Sequence, residues 1–126
     1  MTPSELLDAA NELLERPDLS LVGAWPRAVA LLGRQALEGG LDGFWEAEFA
    51  NMKYASRRTQ TLCLEQYVRD RSLTDGIRQS WAELTRACHH HPFELSPTAA
   101  ELKNWLAEVE GLVSRLSAAS SHPGSG

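Results

Sequence analysis

The densest run of reactive side chains is Arg86-Ala87-Cys88-His89-His90-His91, which holds three of the four histidines in the chain. Imidazole titrates near neutral pH and can give or take a proton there, and a guanidinium grips phosphate oxygens with a planar fork of donors. Together they suit cleavage of an RNA phosphodiester. One imidazole would activate a ribose 2′-hydroxyl or protonate the departing 5′-oxygen, and the arginine would stabilise the charge that builds on the phosphate. Arg86 and His91 are the catalytic candidates, with His89 and His90 able to face the same cleft. A metal site built from Cys88, His89, His90 and His91, with His122 as a remote ligand, fits less well. Adjacent residues diverge on a helix, and structural zinc uses separated ligand pairs. No metal or cofactor is therefore expected. The plainest role for the same run is a polar helix C-terminus, where imidazolium meets the negative end of the helix dipole.

Charge places a second set of candidates. The net charge is −5, which argues against a protein that simply coats nucleic acid. It is unevenly spread: residues 1–52 sum to −6, residues 53–91 to +3 and residues 92–126 to −2. The middle carries Lys53, Arg57, Arg58, Arg69, Arg71, Arg78 and Arg86. Where basic residues adjoin an aromatic one, phosphate contact and base stacking can combine. That singles out Lys53, Tyr54, Arg57 and Arg58 as RNA-binding candidates, and Phe93 as an aromatic beside the histidines. Trp81 and Trp105 lie on apolar stripes and are read as core.

These residues must be positioned by helices, because alternating β-branched runs are absent. Thr2-Pro3-Ser4-Glu5 combines a capping box with proline at the first helical position, and Leu6, Leu7, Ala10, Leu13 and Leu14 form one face up to Arg16-Pro17. Trp25-Pro26 opens a second helix, with Val29, Leu32, Ala36 and Leu37 inward and Gly39-Gly40 as its expected stop. Leu41 to Phe49 reads as a brief further helix. Ser56 caps a third long helix running to about Asp70, with Thr59, Leu62, Cys63, Gln66 and Tyr67 on its expected inner half. Ser72 to Asp75 re-caps the chain, and Ile77, Trp81, Leu84 and Cys88 then fall in a narrow stripe, with Arg86 roughly 180° from Ile77. The residue before Pro92 ends that helix. The last helix starts at Ser96-Pro97 or, in a second capping register, at Thr98 to Glu101. Its face is Leu102, Trp105, Leu106, Val109, Leu112, Val113 and Leu116. The expected architecture is all-α: a single compact antiparallel bundle of five to six helices over residues 1–116, followed by a flexible Ser/Pro/Gly-rich tail at 117–126.

At 126 residues, 43% hydrophobic and 23% charged, the chain suits one globular domain. Its apolar runs are too short to span a bilayer, no basic segment and apolar run open the sequence, and Cys63 and Cys88 are too few for a disulfide framework. A cytoplasmic protein with no membrane partner and with reduced, buried cysteines is the expectation.

The order Trp81, Leu84, Arg86, four residues, His91, then Leu95-Ser96-Pro97-Thr98-Ala99-Ala100-Glu101 and a final helix through Val109, Leu112, Val113 and Leu116 resembles the C-terminal half of HEPN domains. The similarity covers roughly Leu73 to Leu116, with Pro26 to Glu38 as a looser match to an earlier family helix. The resemblance implies a dimeric, HEPN-like helical domain that binds RNA and acts as a metal-independent endoribonuclease of a toxin or antiphage type. Arg86 and His91 would be its catalytic pair, meeting their mates across a homodimer cleft, and a protein partner would neutralise it. The chain departs from the family pattern at Ala87, where cleaving members usually carry a polar residue. A non-catalytic helical dimerisation or protein-interaction module is the alternative for the same residues.

Overall fold

The computed structural model describes residues 1–16, 24–89 and 96–120. Five α-helices account for nearly all of them: α1 (Pro3–Glu15), α2 (Trp25–Glu48), α3 (Arg57–Val68), α4 (Arg71–Cys88) and α5 (Ala99–Ser120), with a 3₁₀ segment, Ala50–Tyr54, between α2 and α3. No strand occurs among the described residues, and no helix there is long and apolar enough to cross a membrane.

The expected caps form at both ends of the chain. Thr2 and Glu5 exchange two 3.1 Å hydrogen bonds at the start of α1. Thr98 and Glu101 do the same at α5, so the second register prevails there over Ser96-Pro97. Ser56 caps α3 by accepting from the Thr59 N–H. For α4 the expected cap at Ser72 is corrected: Asp70 accepts from the Leu73 N–H, and Arg69, at φ 55°, makes the sharp turn out of α3. α5 continues past Leu116 to Ser120.

The stop expected at Gly39-Gly40 is also corrected, since α2 runs unbroken through both glycines. These positions serve packing. A Cβ on Gly40 would stand 3.1 Å from Val113 Cγ2 of α5, and one on Gly33 3.0 Å from Leu106 Cδ2 and 3.5 Å from Leu84 Cδ2. Neighbouring helices therefore approach closely enough to hold α2 helical against the intrinsic cost of glycine. α2 is the central helix, packed against α1, α4 and α5. It runs antiparallel to α4, with Gly33 near Leu84 and Glu38 bonded to Trp81, and parallel to α5, with Gly33 near Leu106 and Gly40 near Val113.

Val29, Ala36, Leu37, Leu41, Phe44 and Trp45 of α2 form the middle of the core, closed by Ile77 and Leu84 of α4 and by Leu102, Leu106, Val109, Leu112 and Leu116 of α5. The inner face expected of α3 is wrong. The helix buries Gln60 and Leu64, while Thr59, Leu62, Gln66 and Tyr67 are exposed. Gln60 is the reason: its Nε2 donates to the carbonyls of Met52 (3.0 Å) and Ala55 (3.2 Å), tying the 3₁₀ segment to α3 through a polar residue that no apolar pattern reveals. Cys63 and Cys88 are free and half-buried rather than buried.

Candidate nucleic-acid interface

Arg86 sits in the last turn of α4 and is exposed, as the helical wheel required once Ile77 and Leu84 had turned inward. It makes no ion pair or hydrogen bond through its side chain among the described residues, whereas Arg57, Arg71, Arg78 and Arg115 all lie within 4 Å of a carboxylate. Its backbone carbonyl helps end the helix, accepting from the His89 N–H at 3.1 Å. His89 is the C-cap and is exposed, so its imidazole and the Arg86 guanidinium belong to the same end of α4. His90, His91, Phe93 and His122 lie outside the described residues. Ala87 is 7% exposed and packs into the core. That direction explains why a small apolar residue suits the position after the arginine: a polar one would have to be buried there.

Two arginines that the sequence reading did not single out approach the same end of the bundle from α2. The thiol of Cys88 is pushed up by burial, pulled the other way by the positive charge of Arg34, raised further by Glu38 and lowered, least of these, by Arg27. Arg34 Nε and Thr85 Oγ1 are both buried without a hydrogen-bond partner among the described residues, on the facing helices α2 and α4. The spacing of Arg27 and Arg34 within α2 carries no hint of this. Only the antiparallel packing of α2 on α4 brings them near the end of the helix that bears Arg86.

The other basic candidates separate into two kinds. Lys53 and Tyr54 lie on the 3₁₀ segment, Tyr54 80% exposed with Lys53 Nζ 5.3 Å from its ring centroid. Such a pair leaves an aromatic face and a cation both open to solvent. Arg57 is committed within the fold: its Nη1 lies 2.7 Å from Asp42 Oδ1 and 2.9 Å from Gln60 Oε1, and its Nε 3.7 Å from Glu38 Oε2. Arg58, one position on, is exposed and makes no ion pair among the described residues. It shares with Arg78 and Trp81 the lining of a groove of about 450 Å³ between α3 and α4. Arg78, Ala82 and Arg86 follow at steps of four, so they form one row along the outer side of α4 that leads from this groove to the candidate catalytic end.

Among the described residues, no three His, Cys, Asp or Glu side chains gather where they could hold a metal ion. No protein-family model matches the chain, and no curated protein or solved structure matches it significantly.

Proposed function

We propose that this chain is a HEPN-like RNA-binding domain, acting as a homodimer, and that Arg86 and His91 cleave RNA without a metal ion. The observation that carries the reading is the state of Arg86: exposed and unpaired among the described residues, in the last turn of a well-packed helix whose C-cap, His89, begins a run of three histidines in the sequence. A guanidinium held out in this way is available to non-bridging phosphate oxygens, which it contacts as a bidentate donor. His91 would take the proton from a ribose 2′-hydroxyl as that oxygen attacks phosphorus. The 5′-oxygen leaves with a proton from a second imidazole, so the products are a 2′,3′-cyclic phosphate and a 5′-hydroxyl end. Arg86 stabilises the dianionic charge that builds on the phosphate oxygens in between.

The test is cleavage of a mixed structured RNA in excess EDTA by the wild type, Arg86→Ala and His91→Ala, with circular dichroism to show that each is folded. Cleavage by the wild type and its loss in both variants is the expected result. An RNA left intact by the folded wild type overturns the catalytic part. The interaction-module reading would then lead, on the strength of Leu62 and Tyr67, which leave α3 with an exposed apolar surface at 58% and 48%.

A further inference from the structure

The groove between α3 and α4 has a built lining. Leu41, Leu62, Trp81 and Ala82 give it apolar walls, and Arg58 and Arg78 stand at its edges. Its walls are fixed from behind. The Trp81 Nε1–H donates to Glu38 Oε2 at 3.3 Å, and the same carboxylate lies 3.7 Å from Arg57 Nε, so the indole, the glutamate and the arginine hold one another in place. Asp42 and Glu38 satisfy Arg57. The groove's outward positive charge therefore belongs to Arg58, which has no carboxylate partner among the described residues, and Arg78, whose contact with Asp75 is 3.7 Å within its own helix and more than half exposed.

A volume of about 450 Å³ falls in the range of sites that take a small organic group. The chemistry it offers is an apolar slot with two cations at its rim, in a chain whose net charge is −5. A flat, weakly polar ring carrying an anion complements both parts. A nucleobase with its phosphate is such a group, and the row Arg78, Ala82, Arg86 places the slot on the same side of α4 as Arg86.

We propose that this groove holds one unstacked nucleotide of the RNA, its base against Leu62, Trp81 and Ala82 and its phosphate held by Arg58 and Arg78. The inference rests on the RNA reading and names where the strand is read. It makes the groove a specificity element, separate from the residues that break the bond.

The experiment follows backbone amide NMR shifts of the full chain with adenosine 5′-monophosphate, with inorganic phosphate, and with a single-stranded RNA hexamer. The mononucleotide should move the amides of Thr61, Leu62, Trp81 and Ala82, and phosphate at the same concentration should move them far less. Ala82→Trp, which fills the slot from an exposed helix position, and Arg78→Gln should each weaken mononucleotide binding about tenfold. The hexamer should move the groove and the last turn of α4 together. If the hexamer moves the end of α4 and neither ligand moves the groove, this proposal is overturned and the RNA reading stands. If the mononucleotide occupies the groove and the hexamer binds nowhere, the groove takes a free nucleotide rather than one of a strand, and both the RNA reading and this proposal fall. Equal shifts from phosphate alone, or unchanged binding in Ala82→Trp, would also overturn the base slot.

Discussion

At the scale of single residues, direction was the property most legible in the sequence. Arg86 could be placed outward because Ile77, Trp81, Leu84 and Cys88 fixed the phase of α4. Ala87 is buried for the same reason, since one step along the helix turns a side chain by about 100°. Asp70 shows what such phase arguments leave out. One of its oxygens caps α4 through the Leu73 N–H at 3.1 Å, and the other accepts from Arg115 Nη2 of α5 at 2.8 Å. The arginine hydrogen bond first, and the backbone N–H second, hold this carboxyl below the usual aspartate value. Because the folded-state pKa is the lower one, the stabilisation is complete above the unfolded value of about 4 and is lost as the pH falls through the folded value. Asp70→Ala is therefore expected to melt at lower temperature than the wild type at pH 7. The gap should narrow as the pH is taken from 5 to 3, followed by circular dichroism. A gap that is the same at both ends would show that the carboxylate charge contributes nothing.

At the scale of elements, apolar periodicity identified α1, α4 and α5 and the phase of each, but not every residue they bury: α4 also buries Leu73, Thr74, Ser80 and Ala87, while Trp81 and Trp105, read as core, and Cys88 are only half-buried. It failed where packing depends on something other than apolar side chains. α3 is anchored by Gln60, a buried amide that satisfies two carbonyls of the preceding turn, so its inner face reads as polar. α2 passes through Gly39 and Gly40, which read as a stop when taken locally, because Pro3 and Val113 lie against the space their missing side chains leave. The glycines of α2 therefore divide by what surrounds them. Adding a methyl at Gly40 brings a Cβ to 3.1 Å from Val113 Cγ2 and 3.6 Å from Leu116 Cδ1, at a seam between two helices that are both packed. At Gly43 no atom of the described residues lies within 4 Å. Gly43→Ala should raise stability by about 0.5–1 kcal/mol through the helix propensity and unfolded-chain entropy of alanine. Gly40→Ala should lose that gain and lower stability by about 1 kcal/mol as α5 is pushed outward. Urea unfolding of the two variants beside the wild type measures the difference. Equal stabilisation by both would mean that the contact between α2 and α5 is looser than its distances indicate.

At the scale of the whole molecule, the question is how an acidic protein would take an acidic polymer. The sequence shows the segregation of charge, with residues 53–91 at +3 against −5 overall, but it does not show which of those cations are already occupied. The fold decides that by packing: Arg57 goes to Glu38 and Asp42, Arg71 to Glu65 and Arg115 to Asp70, while Lys53, Arg58, Arg69 and Arg86 have no carboxylate partner among the described residues and Arg78 keeps only a long contact on its own helix. Of these, Arg58 and Arg78 line the groove between α3 and α4 and Arg86 continues the row along α4, so the footprint of the proposed site is small although the chain has twelve basic residues. Each phosphate neutralised on a single strand contributes about −0.7 to the slope of log K against log salt concentration, and three contacts give about −2. The rest of the surface, being acidic, adds repulsion that salt also screens, which makes the measured slope shallower than that. Fluorescence anisotropy of a labelled RNA hexamer at several salt concentrations is expected to return a slope between about −1 and −2. Arg86→Ala should make it less steep by about 0.7, without altering the oligomeric state seen by sedimentation. A binding constant independent of salt, or an Arg86→Ala slope equal to that of the wild type, would remove phosphate contact at Arg86 from the account. Association through the exposed apolar side chains of α3 would then be the explanation left for any complex that forms, because apolar burial carries no counterion release.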